Sequence, residues 1–161
     1  MALPGPLLLR PRPPAADTRL PFGRPHSVRW TLLLLLAGGC GGSPEPEIDP
    51  AVAERPLPGP DTPVDSTLAR TGSTIFVRRC VACHKLGGGD LVGPDLSGVT
   101  TRRDPRWIRA MVLTPDSMLR EDSIAREQLA RYLVPMLDTE LDEGQFRAVL
   151  EFLRSEAGTT P

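Results

Sequence analysis

Large aromatic side chains are scarce: Phe, Tyr and Trp make up 4 % of the 161 residues. So few bulky groups leave a polypeptide core thin for a domain of ordinary size. Histidine is scarcer still, with His26 and His84 alone. The three cysteines are odd in number and call for no disulfide framework. The marked apolar run, residues 30–37, has eight members, far short of the roughly 20 that cross a hydrocarbon layer. Basic excess is also missing. From Thr67 onward 13 basic side chains face 13 acidic ones, so no extended basic surface points to nucleic acid.

Against this background stands Cys80-Val81-Ala82-Cys83-His84. Cys-x-x-Cys-His is the attachment signature of a c-type haem. Two thiols three residues apart add across the two vinyl groups on one porphyrin edge. The adjacent imidazole then lies under the ring as an axial ligand. Small residues between the thiols let the backbone turn tightly. A zinc site would need about four ligands, and the remaining candidates, Cys40 and His26, both lie near the N-terminus. A thioredoxin-like dithiol belongs in a βαβ pattern, and no strand-rich stretch surrounds this one. A covalently held porphyrin would also supply the apolar bulk that the aromatics do not.

The flanking residues extend the pattern. Gly72-x-x-x-Phe76 precedes the motif; Gly93-Pro94-Asp95-Leu96 and Pro135-Met136 follow it, then a final amphipathic stretch. In this order they resemble a class I monohaem cytochrome c domain, over about residues 69–155. The resemblance implies a small all-α fold around one covalently attached haem c. It also implies one-electron transfer by Fe(II)/Fe(III) cycling rather than enzymatic catalysis. The expected organisation is a signal peptide over residues 1–39, an acidic Pro-rich linker over 40–66, and the cytochrome c domain over 67–161.

Arg10, Arg12, Arg19, Arg24 and Arg29 precede the short apolar run, as in a secretory signal. The leader is long; translation starting near Val28 would account for that. The run ends in Ala37-Gly38-Gly39-Cys40, which resembles a bacterial lipobox. Cys40 is the candidate lipidation site, with plain secretion and an incidental thiol as alternatives. The linker holds six acids against Arg55 alone, with prolines from Pro44 to Pro63. It is expected to be extended and solvated, reaching roughly 30–80 Å. A lipid-anchored domain on the periplasmic side of a membrane follows.

Within the domain, Ser66 is expected to cap a helix running to the haem motif. Gly72 sits inside it, where it costs about 1 kcal/mol against Ala unless another helix crosses there. Asp142 and Gln145 form a capping box for the last helix, with Phe146, Val149, Leu150 and Leu153 as its inward stripe. Asp104-Pro105 opens a helix to Leu113. Residues 114–117 should break the chain, and a further helix is expected over 121–133. Residues 85–90 read as a flexible loop.

The resemblance assigns Pro94 as the residue whose carbonyl accepts a hydrogen bond from the His84 imidazole, raising its basicity. An ordinary turn proline is the alternative. Trp107 is a candidate donor to a haem propionate, or else a wall of the pocket. Arg102, Arg103, Arg106 and Arg109 could offset propionate charge, dock an acidic partner, or line a solvated face. The second axial ligand must be a methionine if His26 is removed with the leader. Met136 lies in a loop, where the family places its ligand; Met111 reads as core and Met118 as lying near a helix start. Leu137 stands where the family often has proline. Partners would be redox proteins. The extra length before Met136 is similar to monohaem cytochromes that accompany copper respiratory enzymes such as nitrous oxide reductase. A haem-based sensor or ligand-binding module with a labile distal side is the competing function.

Overall fold

The computed structural model describes residues 45–157; the expectations for the leader and for Cys40 lie outside the described residues. Six α-helices and one 3-10 turn carry the fold, with no strand among the described residues. This is the all-α class expected. No helix among the described residues is long and apolar enough to cross a membrane.

Two helices organise the rest. Helix α1 spans Ser66–Arg79. Asp65, one residue before the expected cap, starts it by accepting the N–H groups of Thr67 and Leu68 at 3.0 and 3.1 Å. A carboxylate there satisfies two orphan donors and complements the positive helix end. The last helix begins with the expected capping box. Asp142 Oδ1 accepts from Gln145 N at 2.8 Å, and Gln145 Oε1 accepts from Asp142 N at 3.0 Å.

That last helix, α6 as numbered below, crosses α1 at Gly72. A Cβ at Gly72 would overlap the Ala148 carbonyl and lie 2.8 Å from Val149 N. The missing methyl therefore sets how closely the backbones approach. Ile75 and Phe76 from α1 meet Phe146, Val149, Leu150 and Leu153, all buried. Phe76 also packs on Phe152, with ring centroids 5.3 Å apart. Fully burying each such side chain contributes about 1.5–3 kcal/mol, so this crossing is the main source of cohesion.

Between them run α2 (Val99–Arg102), α3 (Pro105–Leu113), α4 (Pro115–Glu121) and α5 (Ser123–Tyr132), before α6 (Glu143–Ala157). Helix α3 starts as expected, with Asp104 accepting from Arg106 N at 2.7 Å. It buries Ile108 and Met111, so Met111 is core. The break expected over 114–117 narrows to Thr114, which ends α3; Pro115 then occupies the first helical position of a new helix, α4, where its missing N–H costs nothing. The helix expected over 121–133 is found as α5, two residues later at its start, where Asp122 is the cap. Its carboxylate accepts from Ala125 N at 2.8 Å and starts α5 afresh. Leu133, at φ +59°, then ends α5.

The Pro-rich segment also departs from expectation. Residues 45–65 are not a solvated spacer but a strap laid over α1 and α6. Pro50–Val52 forms a 3-10 turn, and Val52 is only 4 % exposed. Ile48 and Leu57 pack against the core. Side chains of α6 hold the strap's carbonyls: Arg147 donates to Pro56 O at 3.1 Å, and Arg154 donates to Thr62 O. Glu151, paired with Arg154 at 2.8 Å, accepts Asp65 N at 3.0 Å. At the other end Glu45 pairs with Arg79 at 2.9 Å and Arg78 at 3.6 Å. Proline forbids regular ladders but not packing, and partners on α6 supply what the strap cannot make internally.

Candidate haem site

The motif follows directly from α1. Cys80 is its C-cap, and its carbonyl accepts the N–H groups of Cys83 and His84 at 3.1 and 2.9 Å. This tight turn brings the two thiols and the imidazole onto consecutive positions of one bend. Cys80 is half-buried and Cys83 exposed. Burial, with a smaller contribution from the nearby Cys83, pushes the Cys80 thiol up to about 11. In its free form it is a neutral group in an apolar setting.

His84 is held from one side. Its Nδ1 donates to the Pro94 carbonyl at 2.9 Å. A carbonyl can only accept, so Nδ1 carries the hydrogen and Nε2 keeps its lone pair for a metal. Gly93 lies flat against the ring: a Cβ there would come within 2.7 Å of His84 Cε1. Gly93 N in turn donates to Cys83 O at 2.9 Å, and Leu96 N to Lys85 O at 2.8 Å. The segment that orients the imidazole is thus stitched to the motif itself.

Asp95 organises the loop expected to be flexible. Its Oδ1 accepts from Gly87 N and Ser97 N, and its Oδ2 from Gly89 N, each at 2.8 Å. Gly87, Gly88 and Gly89 have φ between +84° and +93°, a region side chains avoid. These donors, Gly87 foremost, hold the Asp95 carboxyl below the usual carboxylate range. Sequence reasoning named Asp95 within a motif but gave it no work. An aspartate following glycine-rich chain, able to accept nearby backbone N–H groups, was the available signal.

Met136 lies half-buried in the loop between α5 and α6. Around it Leu133, Val134 and Leu137 are exposed, Leu133 by 81 % and Leu137 by 74 %. Val81 in the motif and Leu91 and Val92 ahead of Gly93 are exposed as well. Large apolar side chains concentrated on the motif, the proximal loop and the methionine loop are what a flat apolar group would cover. With the thiol pair and an imidazole whose Nε2 is free, these residues fit a covalently held porphyrin. Met118 sits within α4.

Trp107 does not present its N–H as expected. Nε1 donates to Asp122 Oδ1 at 3.2 Å, so the indole ties α3 to the start of α5. The nearby arginines are mostly engaged in the fold. Arg102 donates to the carbonyls of Ser97 and Asp95; Arg103 stacks on Trp107 at 5.3 Å. Arg109 forms a two-point pair with Glu143. Arg106 is exposed. Among the described residues no three His, Cys, Asp or Glu side chains gather to hold a bare metal ion.

Helices with no strand among the described residues, a Cys-x-x-Cys-His bend at the end of the first long helix, and an imidazole fixed by a following proline define a c-type haem protein. The chain belongs to the cytochrome c family, whose model matches residues 69–157. It binds one covalently attached haem c, with Cys80 and Cys83 in place for the attachment. Among solved structures it is similar to cytochrome c from Rhodothermus marinus. The two share 34 % identity over 68 % of this chain and 96 % of that one, with a TM-score of 0.61. An engineered form of that cytochrome, Rma TDE, is similar at 33 % identity over 67 % and 96 %, with a TM-score of 0.60.

Proposed function

We propose that this chain is a membrane-tethered electron carrier in a bacterial respiratory chain. It is exported to the periplasmic side and anchored through a lipid on Cys40. His84 and Met136 would hold its haem iron. Its partners are a protein donor and a protein acceptor, of which a copper respiratory enzyme is one. Haem c supplies a one-electron couple when bound.

The hydrogen bond from His84 Nδ1 to Pro94 O at 2.9 Å carries this reading. It fixes the tautomer that leaves Nε2 as a donor to iron. Gly93 and the stitched loop limit rotation of the ring, so it need not reorganise between oxidation states. The thioether of Met136 would supply the second ligand; with both ligands from the protein, small molecules would have no ready entry to the metal, which suits electron transfer better than oxygen chemistry. Leu133, Val134 and Leu137 would exclude water from the group's edge.

Spectroscopy tests the ligand set. Met136→Ala is expected to retain covalent haem and lose the long-wavelength charge-transfer band of sulfur-ligated ferric haem. An unchanged spectrum removes Met136 as a ligand. Cys40→Ala tests the anchor: the wild-type protein is expected in the detergent phase of a membrane fractionation and the variant in the aqueous phase. Equal partition of both removes the lipid.

A further inference from the structure

Asp90 lies between the two segments that carry the candidate iron ligands. Its Oδ1 accepts the backbone N–H of Asp95 at 3.0 Å. Asp95 follows Pro94, whose carbonyl holds His84. The other oxygen, Oδ2, accepts the Tyr132 hydroxyl and an Arg131 N–H, both at 2.9 Å. Tyr132 is the last residue of α5, and Leu133 then turns the chain into the Met136 loop. One carboxylate therefore bridges the proximal loop and the root of the distal loop. Beyond Met136 the same loop is tied again, where Thr139 Oγ1 donates to Val112 O at 3.1 Å. The methionine is slung between these two ties.

We propose that Asp90 and Tyr132 form a clasp that positions the methionine loop relative to the histidine loop, and so holds Met136 in ligating position. This inference rests on the reading of Met136 as an axial ligand. The Arg131 guanidinium, 5.2 Å from the Tyr132 ring centroid, steadies the phenol and adds positive charge beside the carboxylate. The Asp95 N–H, then the Tyr132 hydroxyl, holds the Asp90 carboxyl below its usual range. Burial, then Asp90 itself, raises the Tyr132 phenol. At neutral pH the acceptor is thus charged and the donor protonated, the stronger form of this bond. Without the clasp α5 would still end at Leu133, but its end would be free to move from the proximal loop, and the methionine with it.

The test uses the mature, haem-loaded protein. Tyr132→Phe and Asp90→Asn should retain the sulfur-ligation band when cold and lose it at a lower temperature than wild type. They should also raise the association rate of carbon monoxide with the reduced protein by about two- to tenfold, the worth of one hydrogen bond. Arg154→Gln breaks a bond of similar kind at the strap and should leave that rate at the wild-type value. Rates unchanged in both clasp variants, or raised equally by Arg154→Gln, would overturn the clasp. Met136→Ala separates the two readings. A band that survives it removes the ligand and the clasp's role together. A band lost in Met136→Ala, with wild-type rates in the clasp variants, removes the clasp alone.

Discussion

At the scale of single residues, the site depends on small or charged groups rather than on the motif alone. Gly93 is the tightest case, since a Cβ would press to 2.7 Å from His84 Cε1. Gly93→Ala is expected to keep the thioether bonds but tilt the imidazole. Electron paramagnetic resonance of the oxidised protein should show shifted g-values; identical spectra would mean that the ring has room. Asp95 makes a prediction in pH. Its folded-state pKa is lowered, chiefly by Gly87 N–H, so the unfolded chain binds the proton more readily. The stability this contributes is complete above the ordinary carboxylate pKa of about 4 and fades as pH falls through the lower folded value. Guanidinium unfolding at pH 7 and near pH 3 should show a smaller drop for Asp95→Asn than for wild type. An equal drop would assign the acid sensitivity elsewhere, for example to Asp65 or Asp122, whose carboxyls are also lowered.

At the scale of elements, the crossing of α1 and α6 is set by Gly72. Gly72→Ala gains helix propensity yet drives a methyl into the Ala148 carbonyl, which is backbone and cannot swing aside. Overpacking of this kind costs about 1–3 kcal/mol, and a lowered thermal midpoint measures it; an unchanged midpoint would show that the helices can part. This crossing was legible in the chain because a glycine inside an amphipathic helix needs a reason. The capping box at Asp142 and the Asp104-Pro105 start were legible too, since their partners lie within three residues. What escaped had distant or competing partners. Pro115 opened a short helix one residue into the expected break. Asp90 and Trp107 bond across 5 to 42 residues, and no local pattern announces such pairs. The thiols and the imidazole were readable because covalent attachment dictates their spacing; Pro94 was readable only through the family resemblance.

At the scale of the whole molecule, the strap over residues 45–65 is the largest departure from what composition implied. Proline and acid content describe a segment that cannot build its own core, and it borrows one from α1 and α6 instead. Val52→Ala should cost about 1–2 kcal/mol without altering the haem spectrum, seen as a lower denaturation midpoint; no change would mean that the strap rests on the domain without stabilising it. The consequence is one of distance. Under the lipid anchor proposed at Cys40, only five residue steps lead from it to Glu45, which Arg78 and Arg79 clamp to the folded body. Fully stretched they cover at most about 18 Å. Such a molecule would hover beside the bilayer like a boat on a short mooring, reaching only electron donors and acceptors that rise no higher than itself.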